Sequence, residues 1–423
     1  MHTKARSALS RLIVTLAVLC GVVAGAESPA LATSHGTWFS APPLTQPRFH
    51  QTSVLMGDGR VLVSGGRVGD SLTTSAEVLS PFTMRWTPTG SMGTPRWQHT
   101  ATALPNGKVL VAGGFTDPFS VGANAQPVTD TAELYDPATG TFTPTGSMTT
   151  RRALHVAQLL DNGKVLLAGG RTCDNPPPVA CNFTFRSAAA ELYDPATGTF
   201  TAIANMNFAR HTTSPAKLLD GRVLVPAGFT NAGNGINGDI YDPATGTWSL
   251  TGNLTQDRAR QGAALLPTGE VLVMAGFPNR VTSERYNPGT NQWSPSGNVS
   301  FGGRFNFSFT TLPDGRVLLA GGQVPSIGIQ KSAELWDGGA WTTLPPMVNE
   351  HGNSSSLGNS EKAIVLSGNP NSYVTDSTKC GNRCGAVLVI GNNAAGAVDL
   401  FIPNCTASSP TTRAACLGPV PSP

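Results

Sequence analysis

The chain has 423 residues with 28 basic and 25 acidic side chains, and its 48 Gly and 33 Pro make up about a fifth of the total. Charged residues are only 13%, against roughly 25% in ordinary globular domains, while 39% hydrophobic residues exclude bulk disorder. Recurrent Gly and Pro exclude long helices, so an all-β chain rich in turns is expected. At the N-terminus Lys4, Arg6 and Arg11 precede an apolar run from Leu12 to Val23 and then small residues, the three-part pattern of a secretory signal. Ala24-Gly25-Ala26 and Ala30-Leu31-Ala32 both offer a cleavage site, after residue 26 or 32. The run is shorter than the roughly 20 residues of a spanning helix, so export and cleavage are expected, with no membrane span. Three units follow: a signal over 1–32, a main domain over 33–404 and a Cys/Pro-rich tail over 405–423. Without the signal, 25 basic and 24 acidic residues remain, and no basic face for nucleic acid is implied.

One phrase then recurs along the chain. GRVLVSGG ends at Gly66, GKVLVAGG at Gly114, GKVLLAGG at Gly170, GRVLVPAG at Gly228, GEVLVMAG at Gly276 and GRVLLAGG at Gly322, with a faded KAIVLSG ending at Gly368. The spacing runs from 46 to 58 residues. A second phrase follows each copy, as in AELYDPATGTF ending at Phe142 and Phe200 or GDIYDPATGTW ending at Trp248, and Val398-Asp399-Leu400-Phe401-Ile402-Pro403 is its seventh partner. Seven units are counted, each read as four short strands a to d. In the second unit, strand a spans His99 to Leu104 and Asn106-Gly107 turns the chain into strand b; strand c holds Glu133-Leu134-Tyr135, and Asp136-Pro137-Ala138-Thr139-Gly140 turns it into strand d.

A period near 50 with Gly-Gly, Tyr-Asp and Trp in fixed order resembles the kelch repeat, and the copies cover nearly all of the mature chain. The resemblance implies a seven-bladed β-propeller with one four-stranded blade per repeat; a six-bladed propeller followed by an irregular C-terminal segment is the alternative. WD40 repeats, the rival propeller unit, would need signatures that are absent. Gly36-Thr37-Trp38-Phe39-Ser40 copies a strand-d pattern before any strand a, whereas the seventh unit lacks a strand d. Residues 36–40 are therefore expected to pair with 398–402 and close the ring.

The turns from c to d are nearly constant, but the segments from Gly-Gly to strand c run from 6 to 29 residues, so variable insertions collect on one face. That face also receives the d-to-a connections, which supply Arg48, Arg96, Arg152, Arg210, Arg258 and Arg304 at the start of strand a. His50, His99, His155, His211 and His351 lie nearby, as do Gln261 and Asn306, and Phe49, Trp97, Phe208 and Phe305 stand beside the arginines. These residues are read as ringing the mouth of the central channel, where Arg48, His50, Arg96, Trp97, His99, Arg152, His155, Arg210, His211, Arg258, Arg304 and His351 are the candidates for ligand binding. The competing reading gives them to the repeat itself, with each Arg pairing to the strand-c carboxylate of Glu77, Glu133, Glu191, Glu284 or Glu334. Cys173 and Cys181, Cys380 and Cys384, and Cys405 and Cys416 sit in near pairs and are disulfide candidates in an exported chain.

The kelch resemblance extends to the propeller of copper-radical oxidases of the galactose oxidase type, whose chemistry requires a tyrosine crosslinked to a cysteine, a second tyrosine and two histidines. Here Tyr135, Tyr193, Tyr241 and Tyr286 all occupy the strand-c motif, which leaves only Tyr373, and no mature cysteine lies in a blade core. No metal or other cofactor is expected. Nucleophile-elbow, P-loop and H-E-x-x-H motifs are absent. The sequence reads as a secreted, monomeric binding module for an extracellular glycan or protein ligand; the alternative is a carbohydrate-active enzyme such as a sugar epimerase or an oxidase-like propeller.

Overall fold

A computed structural model describes residues 36–117, 128–172, 186–352, 361–366, 386–390 and 396–403. The chain divides into two units, 1–34 and 35–423, and every described residue belongs to the second. The cysteines of the expected disulfides, Cys173, Cys181, Cys380, Cys384, Cys405 and Cys416, all lie outside the described residues. Tyr373, the tail from 405 and parts of the three longest Gly-Gly-to-c segments also lie outside the described residues. Among the described residues there is no helix, so none long and apolar enough to cross a membrane.

Seven antiparallel sheets carry the a-b-c-d order, six with four strands and one with five. In the second sheet the strands are Thr100–Ala103, Val109–Ala112, Ala132–Asp136 and Thr141–Pro144. In the sixth, Glu361–Lys362 joins strand a, Ser308–Thr311, in parallel as a fifth strand. The fold is a β-propeller, and strand a of one sheet lies against strand a of the next, as Thr52–Leu55 does with Thr100–Ala103.

The recurring phrases build this directly. Strand b is buried on both faces, so it is a run of Val and Leu rather than an alternating pattern. Leu62 and Val78 of the first sheet pack with Val109, Val111 and Tyr135 of the second. Val61 and Val63 of the same first sheet pack instead with Leu388, Val398 and Leu400 of the last. Each sheet thus shares a core with both neighbours. In the c-to-d turn Asp136 accepts the Ala138 N–H on its side chain (2.9 Å) and the Gly140 N–H on its carbonyl (2.8 Å). Gly140 closes it at φ 69°, where a side chain would strain the backbone. Tyr135 and Phe142 then stack at 4.8 Å across strands c and d.

The N-terminal strand Thr37–Ala41 pairs antiparallel with Val398–Ile402, Trp38 opposite Phe401, and supplies strand d of the last sheet. The ring therefore closes with strands from both ends of the chain, as the sequence pattern anticipates. Trp38 is 6% exposed and packs with Leu318, Leu335 and Met347 of the sixth sheet as well as with Phe401.

Candidate functional site

Six of the seven sheets contain the same buried ion pair. Arg48–Glu77, Arg96–Glu133, Arg152–Glu191, Arg210–Asp239, Arg258–Glu284 and Arg304–Glu334 approach within 2.6–2.9 Å. All six arginines are at most 1% exposed. Each guanidinium also donates to two backbone carbonyls: for Arg152 these are Gly169 (2.9 Å) and Ala189 (2.8 Å). The carboxylate in turn accepts N–H groups from the incoming connection, as Glu191 does from Thr149 at 2.6 Å. Burial lowers the arginine pKa values and the facing carboxylates partly restore them. Burying such a pair is tolerable because the terminal guanidinium nitrogens and the carboxylate oxygens are matched, although Nε of Arg96, Arg210, Arg258 and Arg304 has no hydrogen-bond partner among the described residues. Asp239 was not among the carboxylates named from sequence; it is one methylene shorter but stands in the same register.

The arginine is also the stitch between sheets. The N–H of the last glycine of the strand-b phrase, which ends Gly-Gly or Ala-Gly, donates to the carbonyl of the next sheet's arginine: Gly66 to Arg96, Gly114 to Arg152, Gly170 to Arg210, Gly228 to Arg258 and Gly276 to Arg304, all at 2.9–3.0 Å. Gly322 donates in the same way to His351 at 2.7 Å. His351 therefore occupies the arginine position of the seventh sheet, 3.1 Å from Asp399, which replaces the glutamate.

The five histidines near the arginines thus fall into four kinds of place. His351 replaces an arginine. His211 directly follows one, with its ring against Phe229 at 5.4 Å and bonded to the Thr212 hydroxyl. His50 lies two residues beyond Arg48, in the left-handed region at φ 55°, and Gln98 Nε2 lies 2.7 Å from its Nδ1. His99 and His155, three beyond, reach back to Thr52 (2.9 Å) and Thr100 (3.0 Å) on strand a of the preceding sheet. Burial, with neighbouring arginines second, pushes the His50 pKa down to about 3 and holds His99, His155 and His211 well below their usual range. All four rings are neutral near pH 7.

Above this wiring lies a rim built from two repeating positions. The residue after each arginine pairs with the residue after each Gly-Gly: Phe49 with Arg67, Trp97 with Phe115, Ala153 with Arg171, His211 with Phe229, Ala259 with Phe277 and Phe305 with Gln323. The d-to-a and b-to-c connections thus meet on one face. The next residue in each connection, His50, Gln98, Leu154, Thr212, Arg260 or Asn306, has φ between 52° and 58°. Left-handed backbone at six non-glycine residues marks strain held by its surroundings. Amide hydrogen bonds run along it: Gln98 to His50, Leu154 to Gln98, Thr212 to Leu154 and Arg260 to Thr212, at 2.9–3.3 Å.

Of the candidates named from sequence, the six arginines, His50, Trp97, His99, His155, His211 and His351 are all under 5% exposed. They form the base of the rim, and its half-exposed positions are Phe49, Arg67, Arg171, Arg186, Phe229, Phe277 and Gln323. Phe208 stands on the surface, 41% exposed, with Arg210 over its ring. Sequence reasoning missed Arg67, Phe115, Arg171, Arg186, Phe229, Phe277 and Arg260. The signal was available, since the first residue after the Gly-Gly position is cationic or aromatic in five of six repeats, Arg67, Phe115, Arg171, Phe229 and Phe277, with Gln323 the exception. On one side Trp97 stacks on His50 and Phe115 at 4.9 Å, with Arg67 over its ring at 5.8 Å. On the other, Arg260 stands 5.4, 5.6 and 5.0 Å from the ring centres of Phe229, Phe277 and Phe305.

A copper-radical site would need tyrosines and histidines brought together. Tyr135, Tyr193 and Tyr286 bond through their hydroxyls to Thr89, Thr145 and Asn291, and with Tyr241 they stack on the aromatic ring of strand d, at the sheet ends away from the rim. Among the described residues no three His, Cys, Asp or Glu side chains come together as a metal-sized group. Among the described residues, therefore, no tyrosine stands with histidines as a copper-radical site requires.

A family model described as the kelch motif matches residues 96–149. No curated protein sequence matches the chain. Among solved structures, that of YjhT is similar with a TM-score of 0.55 at 16% identity, covering 72% of this chain and 99% of that one. A fungal alcohol oxidase of the AA5 family, solved in complex with copper, is similar with a TM-score of 0.62 at 14% identity, covering 87% of this chain and 76% of that one. Together with the a-b-c-d sheets and the arginine–carboxylate stitch, these likenesses show a β-propeller that carries a kelch motif at residues 96–149 and resembles the AA5 alcohol oxidase in fold.

Proposed function

We propose that the protein is a binding module, exported and monomeric, that receives an extracellular glycan or protein ligand at this rim. The observation that carries the reading is the contrast between two adjacent positions. The arginine is the same in six sheets and enclosed, whereas the residues after it and after Gly-Gly vary among aromatic, cationic and small types, and Phe49, Arg67, Arg171, Phe229, Phe277 and Gln323 among them are partly exposed. Partly exposed aromatic faces next to polar groups suit a sugar or a protein loop. The variable b-to-c loops border the same face, and their spread in length supports it as the binding face.

Glycan-array and pull-down screens on the wild type, Phe277→Ala and Thr197→Ala test this. Thr197 lies exposed in a c-to-d turn, at the other end of the sheets. Loss of the ligand in Phe277→Ala with retention in Thr197→Ala is the expected result. The reverse pattern moves the site to the opposite face, and stoichiometric copper with alcohol oxidation replaces the reading by an oxidase.

A further inference from the structure

The seventh sheet is braced differently from the other six. In each of those, one guanidinium holds its carboxylate and two backbone carbonyls at once, from Gly65 and Ser75 for Arg48 to Gly321 and Ser332 for Arg304, at 2.6–3.3 Å. An imidazole has fewer N–H groups and no fork. His351, which takes the arginine position, has Nε2 at 3.1 Å from an Asp399 oxygen, yet neither ring nitrogen makes a hydrogen bond among the described residues. Asp399 is held instead by Asn349, whose backbone N–H and Nδ2 donate at 2.9 and 2.7 Å. The fourth sheet isolates the difference: Asn207 holds Asp239 in the same way there, but Arg210 is present as well. The strands are tethered differently too. In the other sheets strand c passes into strand d through a short turn, whereas Val398–Ile402 pairs with Thr37–Ala41 from the far end of the chain. That pairing stops after five residues, because Pro42 and Pro43 follow and have no N–H to extend it. At the inner edge, Ile364–Val365 makes two register pairs with strand b, while Ala363 N–H bonds to Phe309 O of the sixth sheet at 2.7 Å.

We propose that the seventh sheet is the joint at which the ring opens: Thr37–Ala41 is a strap that leaves Val398–Ile402 and returns while the other six sheets stay paired. The proposal does not depend on what the rim binds. In the other sheets a strand d that frays stays beside strand c through its turn, so it re-pairs as a short loop closes. The strap has no such turn, and only the rest of the propeller keeps it near its partner. Behind it, strand c lacks the charge-assisted fork that ties the other c strands to their connections. Local opening starts where few such bonds must break. Trp38 sets the limit on this motion, because its ring is anchored among Leu318, Leu335 and Met347 of the sixth sheet and must leave that core with the strap. The open form is therefore a minor state, and reaching it exposes the edge of Val398–Ile402.

The test is native-state hydrogen exchange at neutral pH on the full chain, read by mass spectrometry. Amides of 37–41 and 398–402 are expected to exchange roughly tenfold or more faster than those of strands d and c of the second sheet, Thr141–Pro144 and Ala132–Asp136. Thr37 and Ile402 stand opposite each other and are half-buried, so a disulfide made by Thr37→Cys with Ile402→Cys should bring the seventh sheet down to the rate of the second. Arg96→His removes the fork from the second sheet and should raise exchange in Ala132–Asp136 by about tenfold. Equal rates in the two wild-type sheets would overturn the proposal. So would fast exchange at 37–41 that the disulfide leaves in place, or a folded Arg96→His variant whose second sheet exchanges like the wild type. Should Arg96→His not fold, the wild-type comparison and the disulfide decide it.

Discussion

Removing Trp38 should open the ring at its seam. The indole is 6% exposed, stacks on Phe401 at 4.9 Å and shares a core with Leu318, Leu335, Met347, Val387 and Val389. Truncating a buried aromatic residue typically costs about 3–5 kcal/mol, from lost transfer energy and the cavity left behind. With an unfolding entropy of roughly 2.1 cal/mol/K per residue, that lowers the melting midpoint of a chain this size by about 4–6 °C. Trp38→Phe should behave differently. It keeps a ring on Phe401 and deletes an indole N–H that is buried with no hydrogen-bond partner among the described residues, so its cost should stay below about 1.5 kcal/mol. Deleting 33–41 should exceed both, because the last sheet then loses strand d and presents the edge of Val398–Ile402 to solvent. The assay is thermal and urea melting of the four proteins beside a control lacking 417–423. If the control loses as much as the 33–41 deletion, or if Trp38→Ala melts with the wild type, the N-terminal strand is not what holds the ring shut.

Other outcomes follow from the wiring and from the histidines. Arg152→Met should lower stability by about 3–5 kcal/mol in urea, since it strands the Glu191 carboxylate in a buried site. Adding Glu191→Leu should recover only part of this, because Glu191 also accepts the Thr149 N–H; full recovery would show that the pair acts alone. Stability should also fall on acidification. His50, His99, His155 and His211 stay neutral in the folded state to well below pH 6.5, whereas the unfolded chain protonates them near 6.5. The stabilisation is thus present above 6.5 and is lost as pH falls, down to about 3 for His50, at up to roughly 1.4 kcal/mol per pH unit for each ring. A flat urea midpoint between pH 7 and 4.5 contradicts this, and His99→Asn should shallow the slope.

The propeller was legible because its determinants are local and repeated. Asp136, Pro137 and Gly140 state a turn, Gly-Gly states a backbone that must approach another closely, and in Gly66 a Cβ would lie 2.4 Å from Phe49 O. Even the closure could be read, since Trp38 sits in a strand-d phrase with no blade of its own. The arginine–carboxylate pairing was anticipated for five sheets, and Asp239 escaped because the strand-c phrase there reads Gly-Asp in place of Ala-Glu. The rim was less legible. Whether His50 or His99 is the partner of a neighbouring sheet depends on which residue takes the left-handed turn, and Gln98, Leu154 and Arg260 carry no sequence signal for that conformation. Arg260 meets Phe229 and Phe277, which come from the fourth and fifth sheets, a proximity that only the ring itself creates.

The separation of wiring from rim has a consequence for how such a protein changes. The position after the arginine is Phe49, Trp97, Ala153, His211, Ala259 or Phe305, yet the arginine behind it keeps its carboxylate, its two carbonyls and its stitch to the previous sheet. Polar forces that specify the fold run through atoms that never meet the ligand. Chemistry at the rim can therefore drift from aromatic to small to basic without touching the contacts that set blade geometry, and neighbouring blades can drift independently. A single scaffold of this kind is open to retargeting by a handful of exchanges, in evolution or by design, whereas an exchange one residue earlier disables every specificity it could have carried.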